Sequence, residues 1–311
     1  MDRPSKAPGL RVVWGNLAED GDSLPLRAAD SHSHTNRLSA VSQYLLLPLV
    51  ILFGLTWVFR VTDLDLIACR LFSMEQAPYF PYLNANPWLF LYHFGTIPGL
   101  AMGFGGAAIA VLGCCSILIG SGHRLRVYRR PCLFAVLLLA LGPGLIVNGL
   151  LKPLSERPRP CQLVEFGGDE PFVRVLSTYA HGKETSKSFP SGHASMGFFL
   201  LAPAFLLYSR NRRWSMMFLV LGLAMGGMMG LARVVQGRHF PSDVLWAAAS
   251  VYFPGLILCY MFHFTDRMLA KRRAKQNEPA AVHSIEAARN QPMTSEAPPA
   301  ETTREAERRA A

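Results

Sequence analysis

Apolar residues in this chain come in long runs, and six of these approach the ~20 residues a helix needs to cross a bilayer. They extend over about Val41 to Phe59, Leu91 to Ile119, Cys132 to Leu151, Ala194 to Tyr208, Met216 to Leu231 and Val244 to Phe264. The second is interrupted early by His93-Phe94-Gly95-Thr96-Ile97-Pro98, and the fourth and fifth are short. The pattern predicts an all-α integral membrane protein, a six-transmembrane-helix bundle. Residues 39–264 form its core, between a polar tail (1–38) and a tail that is basic and then disordered (265–311). Gly222, Gly226 and Gly230, spaced by four, predict a face of the fifth span that another helix can approach closely. His93 reads as a polar residue satisfied within the bundle.

Composition agrees with membrane. Half of the 311 residues are hydrophobic and only 17% are charged, where a soluble domain carries about a quarter. The first 38 residues lack the apolar core of a signal peptide, and His32-Ser33-His34 within them is too little for a metal site. The six cysteines show no paired-ligand spacing. Whether Cys69 and Cys161 pair stays open.

The net charge of +10 acquires meaning from its placement. Arg124, Arg126, Arg129 and Arg130 lie between spans two and three, and Arg210, Arg212 and Arg213 between spans four and five. Arg267, Lys271, Arg272, Arg273 and Lys275 follow span six. Threading six spans puts all three groups on one side, which the positive-inside bias makes cytoplasmic, together with both termini. Topology thus accounts for these clusters, and no nucleic-acid partner is expected. Val61 to Pro87 then lies outside, with Leu64 to Cys69 as an interfacial turn and Trp88 as an interface anchor.

Three outer segments carry basic residues that topology does not explain. These are Lys152 to Pro160, Pro190-Ser191-Gly192-His193, and Arg233 to Asp243. Lys152, Arg159 and Arg233 are cations able to converge on one anion, and guanidinium forks match phosphate oxygens. Ser191 and Gly192, at the start of span four, add backbone donors and the positive end of the helix dipole. Two histidines complete a constellation suited to phosphoryl transfer. His239 is assigned as nucleophile, oriented by Asp243 in the first turn of span six, and His193 as the acid that protonates the leaving oxygen. Each side chain alone has a bland alternative, such as a snorkelling helix end or a buried hydrogen-bonding histidine. Their joint spacing on one face is what favours chemistry.

These segments resemble the three-part signature of the type 2 phosphatidic acid phosphatase (PAP2) family, which shares its site with the vanadium haloperoxidases. Lys-x6-Arg-Pro is matched by Lys152 to Pro160 and Pro-Ser-Gly-His by Pro190 to His193. Ser-Arg-x5-His-x3-Asp is matched by Arg233, His239 and Asp243, with Ala232 in place of the serine. The resemblance implies phosphate binding by Lys152, Arg159, Ser191, Gly192 and Arg233, a phosphohistidine at His239, no cofactor and no required metal. It covers the membrane core and is silent on the tails. Gln162 to Phe172 also looks like the loop after the first motif in bacterial lipid A phosphatases of this family.

The function expected is therefore hydrolysis of a lipid phosphate at the periplasmic face of a bacterial inner membrane. Lipid A, phosphatidylglycerophosphate, phosphatidate and undecaprenyl pyrophosphate are candidate substrates. A lipid phosphotransferase with the same site is a close variant, and the oligomeric state is open. A haloperoxidase would need vanadate and is usually soluble. An anion-binding transporter would need only the cations, leaving both histidines and Asp243 without a purpose.

Overall fold

The computed structural model describes residues 42–77, 79–118, 126–177 and 187–263. The tails, with His32, His34 and the basic residues after span six, and Arg124 lie outside the described residues. The described residues up to Tyr260 form one compact unit. Among the described residues there is no β-strand, only a bridge between Leu163 and Glu170. Among the described residues, five helices are long and apolar enough to cross a membrane. They are α1 (Gln43–Val61), α3 and α4 together (Trp88–Phe94 and Ile97–Leu118), α5 (Arg126–Leu139, continued by Ala140–Leu151 and Lys152–Ser155), α7 (Arg212–Val235) and α8 (Pro241–His263). A shorter apolar helix, α6 (Gly192–Leu207), and the small α2 (Leu64–Arg70) complete the set.

The differences from the sequence boundaries have local causes. α7 runs four residues further at each end than the apolar run. Its terminal turns hold Arg212, Arg213 and Arg233, whose long stems let a helix continue past the last apolar residue. Asn211 caps it, its side-chain oxygen accepting from the Trp214 amide at 3.3 Å. α5 changes from α to wider π turns at Ala140, because Pro143 cannot donate to the carbonyl four residues back. The predicted interruption of the second span is the Gly95-Thr96 break between α3 and α4. His93 is exposed there, edge-on to Tyr92, and not inside the bundle as its polarity suggested.

The predicted small-residue face is where α6 and α7 meet. A Cβ on Gly197 would stand 2.7 Å from the Cα of Gly226, so the two backbones touch with no room for side chains. α1 lies on the outside, with Val50 and Trp57 about two-thirds exposed at 68% and 66%, an apolar surface fit for lipid. It is fixed at both ends. Tyr44 near its start meets the Tyr208 hydroxyl at 2.6 Å at the end of α6, and Arg60 near its end donates to the Val175 and Leu176 carbonyls. The start of α6 and the loop 156–177 therefore lie at one end of the bundle. Tyr208 and the neighbouring arginines, Arg210, Arg212 and Arg213, lie at the other.

Candidate active site

The end of α5 supplies the first cation. In its π turns Asn148 donates to the Pro143 carbonyl at 2.6 Å and accepts from Lys152 Nζ at 2.8 Å, which aims the ammonium over the start of α6. A Cβ on Gly192 would come within 3.0 Å of that nitrogen, so glycine is what lets the lysine settle against the helix start. Beyond Ser155 the prolines at 158 and 160 bar Arg157 and Arg159 from helical backbone. The Arg159 amide is held by Gln162 Oε1 at 2.8 Å, and its side chain stands near Arg233 and Tyr92.

Ser191 caps α6, its hydroxyl oxygen accepting from the Ala194 amide at 3.4 Å. Its own amide donates to the Asp243 carbonyl at 3.2 Å and is not available to an anion as the sequence suggested. The reason is that α6 and α8 start side by side, and this bond stitches them. What Ser191 retains for a ligand is its O–H, and the first amides of α6, at Gly192 and His193, have no partner within the helix. His193 follows in the first turn, half-buried. Tyr92 of α3 stacks on its imidazole at 4.9 Å between centroids, and the Arg233 guanidinium lies 4.7 Å from the centre of the Tyr92 ring.

Arg233 stands in the last turn of α7, where its Nη1 donates to Gln236 Oε1 at 2.7 Å while Gln236 Nε2 donates to the Leu83 carbonyl. The chain then turns back, with the amides of Arg238 and His239 both donating to the Arg233 carbonyl. This folds His239 beside the arginine that precedes it by six residues. His239 is 4% exposed. Pro241 opens α8 and places Asp243 in its first turn, where Oδ2 accepts from the Phe240 amide at 2.9 Å. His239 Nδ1 faces Asp243 Oδ2 at 3.5 Å, too long for a hydrogen bond. That oxygen is already committed to the Phe240 amide and, at 2.6 Å, to the Ser188 hydroxyl. The carboxylate acts on the imidazole as a facing charge.

Behind Asp243 lies a buried network that the motif spacing did not mark. Arg157 is 1% exposed. It donates through Nη1 to Asp243 Oδ1 at 2.6 Å, through Nη2 to Asp65 Oδ2 at 2.8 Å and through Nε to the Val173 carbonyl at 2.8 Å. Its guanidinium rests on Phe240, 4.1 Å from the ring centre. Cys69 lies buried in the adjoining apolar cluster, with Cys161 packed against that cluster. Both are free thiols in this structure.

Burial pushes the His193 imidazole down to about 4, helped by Arg233, His239, Lys152 and Arg159. Burial also lowers His239, against the opposing pull of Asp243. Both are neutral near pH 7. Three buried side-chain nitrogens have no hydrogen-bond partner among the described residues: Nε of Arg159, Nε of Arg233 and Nδ1 of His239. Leaving buried donors unmade is costly, and an oxyanion would satisfy the two guanidinium nitrogens. The predicted residues thus converge at one end of the bundle. Tyr92, Asn148, Gln236, Arg157 and Asp65 join them as residues that touch or hold the site.

A family model described as the PAP2 superfamily matches residues 133–267, which include every predicted site residue. The lipid A 4'-phosphatase of Francisella tularensis subspecies novicida is 38% identical over 127 residues, 40% of this chain and 55% of that protein. Phosphatidylglycerophosphatase B of Bacillus subtilis is 29% identical over 165 residues, 51% of this chain and 70% of that protein. The lipid A 1-phosphatase of Rhizobium etli is 32% identical over 160 residues, 47% of this chain and 62% of that protein. The chain thus spans between about half and 70% of the length of these relatives. No solved structure matches it.

Proposed function

We propose that this chain, whose residues 133–267 match the PAP2 superfamily model, hydrolyses a phosphate ester of a membrane lipid through a phosphohistidine. The observation that carries this reading is the pair of buried, unpartnered Nε donors on Arg159 and Arg233, set beside two neutral imidazoles. Lys152, Arg159, Arg233, the Ser191 hydroxyl and the amides at Gly192 hold the phosphoryl oxygens. The His239 Nε2 lone pair attacks phosphorus, the bond to the lipid oxygen breaks, and His193 gives its proton to that oxygen. Water then attacks phosphorus, His193 takes its proton back, and inorganic phosphate leaves as the N–P bond breaks. Asp243 stabilises the positive charge that His239 gains.

The neutral resting state of His193 fits this cycle through the substrate. A phosphate monoester has a second pKa of about 6, so near neutral pH it arrives partly as the monoanion and supplies the proton His193 needs. Once bound, the remaining dianion offsets the cations that push the imidazole down.

Six spans are proposed, α6 being the fourth, with both termini cytoplasmic and the site at the periplasmic face of a bacterial inner membrane. The site and Arg210 to Arg213 lie at opposite ends of α6, in support of this orientation. Lipid A-type phosphates and phosphatidylglycerophosphate are the proposed substrates, after the relatives' activities.

Phosphate release by the purified protein from lipid A, phosphatidylglycerophosphate, phosphatidate and undecaprenyl pyrophosphate tests this directly. Release from at least one, unaffected by chelators and abolished in His193→Ala, is expected. Release from none of them, or strict dependence on added metal, would contradict it.

A further inference from the structure

The network behind Asp243 has more order than burial of a carboxylate requires. Asp65 stands on α2, 178 positions before Asp243, yet it is 0% exposed and makes three bonds into the start of α8 and its support. Its Oδ1 accepts the Ser242 amide at 3.0 Å. Its Oδ2 accepts the Ser242 hydroxyl at 2.6 Å and Arg157 Nη2 at 2.8 Å. Asp65 therefore caps α8 from another helix, taking an amide that the helix itself cannot satisfy. Arg157 is shared between Asp65 and Asp243, with the Ser242 hydroxyl accepting from Nη1 at 2.9 Å between them. Two carboxylates and one guanidinium leave this buried group with one net negative charge, and Asp243 Oδ2 faces His239 Nδ1 at 3.5 Å.

We propose that Asp65 is a positioning residue for the phosphoryl transfer: by sharing Arg157 and capping α8, it fixes the Asp243 carboxylate and keeps its charge available to His239. Were Arg157 paired with Asp243 alone, the guanidinium would cancel the charge that the imidazole needs as its nitrogen bonds to phosphorus. Asp65 divides that guanidinium and restores it. The inference rests on the assignment of His239 as nucleophile.

The signs follow from the groups present. His239 is faced by Asp243 from α8, by Arg233 from α7, by Arg159 from the loop after α5 and by His193 from α6. Asp243 is faced by Arg157 and Ser188, and Asp65 also has Cys69 near it. Asp65→Asn removes a negative charge from behind Asp243 and leaves every cation in place. The imidazolium of His239 is then less favoured, so His239 loses its proton at a lower pH and is a weaker nucleophile.

The experiment measures kcat and KM on a lipid phosphate across pH 4 to 8 for the wild type, Asp65→Asn and Ser242→Ala, each full-length in mixed micelles. His239→Ala is the reference. For Asp65→Asn we expect kcat to fall at least tenfold with KM within twofold, and the acidic limb of kcat/KM to move to lower pH. Ser242→Ala keeps every charge but loses the hydroxyl that links the carboxylates. It is expected to lower kcat at least threefold without moving the limb. Wild-type kcat and limb in Asp65→Asn would overturn the proposal, as would equal loss in kcat with an unmoved limb. If Asp65→Asn does not fold, Ser242→Ala decides, and wild-type kcat there would overturn it. Activity surviving in His239→Ala would instead overturn the nucleophile assignment, so the two failures are distinct.

Discussion

The ring of Tyr92 lies on the imidazole of His193, 4.9 Å between centroids with their planes 26° apart, while Arg233 approaches the same ring at 4.7 Å. One aromatic side chain from α3 thus sets both the proposed acid and one phosphate-binding cation. Tyr92→Leu is expected to lower kcat on alkyl or sugar phosphates by about tenfold or more, within the range that a proton donor contributes. On p-nitrophenyl phosphate, whose leaving group departs without a proton, the loss should stay small. Tyr92→Phe keeps the ring and should behave as wild type on both. Equal loss on the two substrates in Tyr92→Leu would show that Tyr92 does not act through His193.

Gly192 offers a test of the phosphate site that leaves the fold alone. An alanine Cβ would stand 3.0 Å from Lys152 Nζ and 3.6 Å from Asn148 Oδ1, forcing the flexible lysine end away from the helix start. Gly192→Ala is expected to raise KM by about tenfold, close to 1.4 kcal/mol of binding. Its thermal unfolding should match the wild type. An unchanged KM would remove Lys152 from the phosphate site.

How much of this was legible in the sequence divides by the kind of signal. The apolar runs marked the helices because burial in hydrocarbon needs long unbroken segments, and Lys152, Arg159, His193, Arg233, His239 and Asp243 stood out because charge in such a chain demands a reason. The length of α7 was hidden by Arg233, which belongs both to the helix and to the site. Arg157 sat in view just before Pro158 but read as a neighbour of Arg159, since nothing local says that one arginine turns inward. Asp65, the lone carboxylate in Leu64 to Cys69, did carry a signal: a charge in an apolar stretch needs a buried partner. The partner lay 92 residues away, beyond any pattern of spacing. Ser191 misled because a helix start normally offers free amides, and here the neighbouring helix takes one.

The contact of α6 with α7 predicts a stability effect independent of catalysis. Any side chain at Gly226 meets the Phe198 ring, and Gly197 lies against its backbone. Gly226→Val is expected to destabilise the protein by about 1–3 kcal/mol or more through overpacking. The change would be read from the thermal unfolding midpoint in detergent. Gly227→Ala, where nothing lies within 4 Å of the new Cβ, is the control and should be near neutral.

Anion binding should depend on pH through His193. In the empty site its pKa is held near 4 by burial and by Arg233, His239, Lys152 and Arg159. A bound dianion raises it, so binding takes up a proton at pH values between the free and bound pKa. Affinity must then increase as pH falls through that window. Sulfate, which stays dianionic throughout, should inhibit competitively and more strongly at pH 5 than at pH 7, by up to about tenfold per proton taken up and pH unit. His193→Gln should flatten the dependence. A pH-independent inhibition constant in the wild type would mean that His193 does not face the anion.

The central claim is a bond between His239 and phosphorus. Rapid quenching of the enzyme with a 32P-labelled lipid phosphate, followed by peptide mapping, tests it most directly. The account predicts an alkali-stable, acid-labile label on the peptide containing His239 that forms and decays at rates compatible with turnover, and none in His239→Ala. Turnover of the wild type with no trapped label, or a label that persists in His239→Ala, would contradict it.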